Sequence, residues 1–147
     1  MDLLLQLLIG SIMIGLTVMI HAIGLDFILK YASKVEALLR KIVAGFYKPV
    51  FAGLIVVSVF AVNVIHIWLW AILYLALGCK PLQNLSESLY FATVTYTTLG
   101  YGDILLEVSY RMLSAIEAAN GFILFGWTTA FIFEVKSRLY RGEARSI

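Results

Sequence analysis

Thr97-Thr98-Leu99-Gly100-Tyr101-Gly102-Asp103 lies between two hydrophobic stretches of a very apolar chain. Two glycines and an aspartate beside a membrane helix weaken the helix and add a charge, so another interaction must offset them. The 147 residues are 62% hydrophobic and 14% charged, with a mean hydropathy of +0.95. Soluble domains carry about a quarter charged residues, so the composition points to a membrane. There an unpaired backbone group costs several kcal/mol, and non-helical backbone is tolerated only inside protein or along a watery path. Segment 97–103 is therefore expected to line such a path, with its carbonyls meeting a cation. Gly100 and Gly102 adopt positive φ without steric penalty, which lets successive carbonyls face one side.

The flanks frame that reading. SLYFATVTYTT is too short to cross a bilayer, and apolar runs of about 10–14 residues read as buried or re-entrant. We assign a short re-entrant helix to 86–98, with Ser86 at its N-cap, and an extended segment to 98–102. Residues 112–135 form the last spanning helix. An earlier one covers 50–78 and holds Asn63 and His66, with Trp68, Trp70 and Tyr74 in its outer half where interfacial aromatics gather. The first apolar run, 1–29, starts with an acidic residue and lacks a basic leader, so it reads as a retained helix. Residues 30–48 carry five Lys and Arg, bounded by Lys30 and Lys48. They read as a short amphipathic connector on the membrane surface, between the first helix and a second hydrophobic unit at 49–135. The polar stretch 136–147, with four more basic residues, is a tail. Positive residues favour the cytoplasm, which puts connector and tail inside and the N-terminus and segment 97–103 outside. The fold class is an all-α integral membrane protein: three transmembrane helices plus a re-entrant pore helix.

Thr98-Leu99-Gly100-Tyr101-Gly102 resembles the potassium channel selectivity filter, with Leu99 where valine is usual. Thr97 and Asp103 also match the family pattern. The resemblance covers residues 50–135 and is to the small bacterial two-helix pore core, here with an additional N-terminal helix. It implies a homotetramer in the plasma membrane, a bacterial inner membrane, conducting potassium passively with no other metal, cofactor or nucleic acid. In that likeness Thr98 gives a hydroxyl and a carbonyl to the innermost site. Leu99, Gly100 and Tyr101 give further carbonyl rings, the Tyr101 ring acts as a spacer, and Gly102 closes the outer end. Thr97 supports the filter, and Asp103 adds negative field at the mouth. The C-terminal end of the pore helix adds its partial negative charge.

Departures from the family pattern set further expectations. Val94 stands where many relatives have a glutamate, which leaves Asp103 without that partner, and no proline follows Asp103. Glu117 is expected to bond the pore-helix end or Thr95 in its place, with pH sensing as the other reading. Gly121 matches a hinge glycine or serves close helix packing, and Gly126 follows at the family's spacing. Phe122, Phe125, Thr129 and Phe133 form a stripe that the likeness turns toward the pore. Phe133 is then a hydrophobic gate; otherwise the stripe faces lipid or protein.

The remaining features are less specific. Asn63 and His66 share a helix face without the further ligands a metal needs, so an interhelical hydrogen bond is expected. Glu134 either collects cations at the inner mouth or pairs with Lys136 or Arg138. The basic stretch 30–48 binds anionic lipid or only reports topology. Cys79, the one cysteine, is a free thiol or an intersubunit bridge. No helix carries Arg or Lys at every third position, so no voltage sensor is read, and nothing suggests an enzyme or a pump. A non-selective cation channel and a non-conducting channel subunit remain as alternatives.

Overall fold

The computed structural model describes residues 1–141, so the end of the 136–147 tail lies outside the described residues. Helix α1 spans Leu3–Ile42, α2 Tyr47–Ala76, α3 Leu85–Tyr96 and α4 Arg111–Arg141, the last preceded by a 3₁₀ turn at Val108–Tyr110. Three of these, α1, α2 and α4 with its 3₁₀ turn, are long and apolar enough to cross a membrane. The chain is a multi-pass, all-helical membrane protein.

The expected surface connector at 30–48 does not form. Instead α1 continues without a break for 40 residues, about 60 Å at the helical rise and roughly twice the hydrocarbon thickness. No proline or glycine interrupts 25–42, and an apolar seam runs on through it. Gln6, Gly10, Met13, Thr17, His21 and Leu25 are its buried residues. Ile28, Ala32, Val35 and Leu39 continue the same three-and-four spacing, packing in one cluster with Phe51 and Ile55 of α2 and Val135 and Leu139 of α4. The chain turns only at 43–46, where Gly45 lies.

The seam also sets direction. Gln6 Oε1 accepts from the Met112 backbone N–H at 3.1 Å, satisfying one of the orphan donors at the start of α4. Further along, a methyl group on Gly10 would collide with the Ile116 side chain. Asn120 Nδ2 donates to Thr17 Oγ1 at 2.8 Å, and the His21 and Trp127 rings lie 5.1 Å apart. Residue numbers rise together along both helices, so α1 and α4 are parallel.

Trp70 and Tyr74 are not interfacial, because both are fully buried in the main core with Phe91, Tyr96, Leu113 and Leu124. Only Trp68 of the three faces outward. Helix α3 starts earlier than its predicted Ser86 cap. The true N-cap is Asn84, whose side chain accepts from the Glu87 N–H at 2.9 Å, while the Glu87 carboxylate accepts from the Gln83 N–H at 2.8 Å. The two bonds satisfy two backbone donors at once, as in a capping box, except that the carboxylate takes the N–H of Gln83 rather than of the N-cap residue. Cys79 is a buried free thiol, and burial pushes it up to about 11.

Candidate functional site

Helix α3 points its C-terminal end at segment 97–103, and the junction has a recognisable geometry. The Leu99 N–H bonds the Val94 carbonyl at 3.0 Å and the Thr98 N–H bonds the Thr95 carbonyl at 2.9 Å. These nested bonds are a Schellman closure, which needs a left-handed residue at its C′ position. Thr98 occupies it, with φ of 60°. Glycine usually does so, and for a β-branched residue the conformation is an outlier. Strain of this kind costs on the order of 1–3 kcal/mol and persists only where the surroundings over-determine it. The Gly100 N–H also bonds the Val94 carbonyl at 3.1 Å, and Thr97 Oγ1 donates to the Thr93 carbonyl at 2.7 Å. The helix thus ends at Tyr96, two residues before the expected limit, because its last turn closes through Thr98.

Left-handed φ then recurs at Gly100 (56°) and Gly102 (75°), but not at Leu99 or Tyr101. An ordinary strand turns successive residues to opposite sides. Left-handed geometry at every second residue permits successive carbonyls to face one side instead. Leu99 is 56% exposed and Tyr101 67% exposed in the single chain.

Asp103 does have a partner: Tyr90 of α3 donates its hydroxyl to Oδ2 at 2.6 Å. Tyr90 lies one helical turn before Val94, on the same face, so its spacing was the available signal. Glu117 does not reach the pore-helix end or Thr95. It is fully buried and accepts from the Tyr74 hydroxyl of α2 at 2.6 Å.

Behind the junction lies a buried polar group. Tyr96 Oη sits 2.9 Å from His66 Nδ1 and donates to Asn63 Oδ1 at 3.1 Å, while Asn63 Nδ2 donates to Thr128 Oγ1 at 3.1 Å. The interhelical bond expected of Asn63 and His66 is present and ties α2 to α3 and α4. Tyr96 itself carried no sequence signal. Gly121 abuts the same residue: a Cβ there would lie 2.0 Å from the Tyr96 carbonyl oxygen. Close packing is thus its visible role, within an unbroken helix. A Cβ at Gly126 would meet nothing. The aromatic stripe divides, since Phe125 turns onto Tyr96 at 5.4 Å while Phe122 and Phe133 are each 72% exposed. Glu134 pairs with Arg138 at 2.6 Å.

Comparison with known families now decides the class. The model of a family described as ion channel matches residues 54–138, more than half of the chain. The chain belongs to that family. The match is to the two-helix, potassium-channel type of pore domain, and it supports channel activity. In this ion channel the matched unit takes in most of α2, all of α3, segment 97–103 and most of α4, and leaves α1 outside. No curated protein and no solved structure matches the chain.

Proposed function

We propose that this ion channel is potassium-selective and conducts through four copies of segment 98–102 arranged about one axis. The alternation of left-handed φ at Thr98, Gly100 and Gly102 carries the proposal. Dehydrating a cation is costly, and rings of carbonyl oxygens replace its water shell. One strand cannot enclose an ion, and Leu99 and Tyr101, exposed in the filter segment of the single chain, face neighbouring copies in a homotetramer. The C-terminal ends of four α3 helices add partial negative charge toward the ion, so no acidic side chain is required at the centre. Asp103, oriented by Tyr90, adds field at the outer mouth.

The same reading sets Phe133 as a hydrophobic constriction at the inner end, with Gly126, about two turns nearer the filter, as the candidate hinge. Lys and Arg density supports an N-terminus outside and a C-terminus in the cytoplasm of a plasma membrane. Lys30 and Lys34, both beside the Tyr31 ring, then face anionic headgroups.

Purified protein in planar bilayers, with potassium on one side and sodium on the other, tests the proposal. A reversal potential near the potassium limit is expected. A value near zero would replace the reading with a non-selective cation channel, and absence of current with a non-conducting subunit.

A further inference from the structure

We propose that Asn63 and His66 are positioning residues for the filter, acting through Tyr96, and that α1 completes the pocket that holds them. The inference rests on reading 98–102 as the ion path. Tyr96 is the last residue of α3, two before the strained Thr98. Its hydroxyl has one proton, and the surrounding bonds determine where it goes. Both Asn63 Nδ2 hydrogens are engaged, by the Val59 carbonyl at 3.0 Å and by Thr128 Oγ1. Asn63 therefore presents Oδ1 to Tyr96, the phenol donates to it, and His66 supplies Nδ1–H to the phenol oxygen.

Tyr96 is held in three ways. Its hydroxyl is fixed by one donated and one accepted bond among side chains that are 0–2% exposed. The ring stands edge-on to Phe125. Its main-chain carbonyl lies against Gly121 with no room for a methyl group. This is the over-determination that a left-handed threonine requires. Two peptide units separate Tyr96 from Thr98, so a released phenol passes directly into the first carbonyl ring. Discrimination between cations depends on the geometry of those carbonyls.

The far side of the pocket belongs to α1. His21, fully buried, packs its ring 5.3 Å from His66 and 5.1 Å from Trp127. One turn earlier, Thr17 receives the Asn120 amide of α4. The helix outside the family-matched unit thus supports the residues that hold the filter from behind.

The test uses the full-length channel in planar bilayers, reading the potassium-to-sodium permeability ratio, single-channel conductance and the yield of assembled protein. Tyr96→Phe removes only the hydroxyl and is expected to lower the ratio at least fivefold with assembly retained. His66→Ala should do the same. His66→Gln, whose amide can donate to the phenol, should restore most of the ratio. His21→Ala, which opens space beside His66, should give a smaller loss. A wild-type ratio and conductance in Tyr96→Phe overturns the proposal; if that variant fails to assemble, equal losses in His66→Ala and His66→Gln do so. A wild-type channel that does not discriminate removes the potassium reading alone. Positioning then stands on altered conductance in Tyr96→Phe and falls without it.

Discussion

The front and the back of the filter segment are built by opposite means. Its front, Leu99 to Gly102, is exposed and takes left-handed backbone at alternate residues. Behind it, Tyr96, Asn63 and His66 are buried and joined by side-chain hydrogen bonds between helices, and Asn120 and Thr17 form a second such pair. One chain finishes the back, and in the proposed tetramer the front is left to its neighbours. On the proposed reading the segment that meets the ion takes its shape from the residues behind it.

The strongest way to break that contrast is Gly121→Ala. The added methyl would meet a backbone carbonyl rather than a flexible side chain, and overpacking of this kind costs about 1–3 kcal/mol or more per site. Loss of assembled protein on size-exclusion chromatography is expected. Gly100→Ala attacks the front instead. No atom stands within 4 Å of the added Cβ, but φ is 56°, and left-handed backbone costs an alanine about 1–2 kcal/mol. Assembly should survive while potassium current is lost. If current survives with unchanged selectivity, positive φ at Gly100 does not matter to conduction.

Much of this was legible in the sequence, and the limits have physical causes. The spans, the re-entrant helix and the glycines at alternate filter positions follow from hydropathy and local backbone preference. The full reach of α1 was also present, in the spacing of Ile28, Ala32, Val35 and Leu39, but the five basic residues of 30–48 drew the reading toward the membrane surface. Partners across helices were not legible. Tyr74 and Glu117 are 43 residues apart and Thr17 and Asn120 are 103 apart, and no periodicity within one helix announces such pairs. Trp70 and Tyr74 misled because aromatics near a helix end suit an interface and a tight core equally well.

Smaller effects sharpen the contrast. Thr17→Val keeps the volume and leaves the buried Asn120 amide without its Thr17 acceptor, at a cost of about 1–3 kcal/mol. A lower thermal midpoint with permeability ratio nearly unchanged is expected, because Thr17 bonds Asn120 rather than the Tyr96 group and is joined to that group through His21 and His66. A fall in ratio as large as that of His66→Ala would show the whole seam acting as one unit. The smallest effect is chemical. Cys79 is buried and its thiol is pushed up to about 11, so at neutral pH it stays protonated. A maleimide probe should label native protein far more slowly than denatured protein; equal rates would show that the loop behind the pore helix opens.

The parallel pairing of α1 with α4 has a mechanical consequence. Gln6 holds the first turn of α4, and Thr17 holds it again at mid-height, while Val35 and Leu39 meet its inner end. A 40-residue rod joined at three levels behaves as a splint. Any tilt of α4 that widens the inner mouth must carry α1 with it, sweeping a basic lever through the headgroup layer. If the proposed pore opens by such a tilt, opening does work against the lipid, and the thickness and charge of the surrounding bilayer become part of its spring.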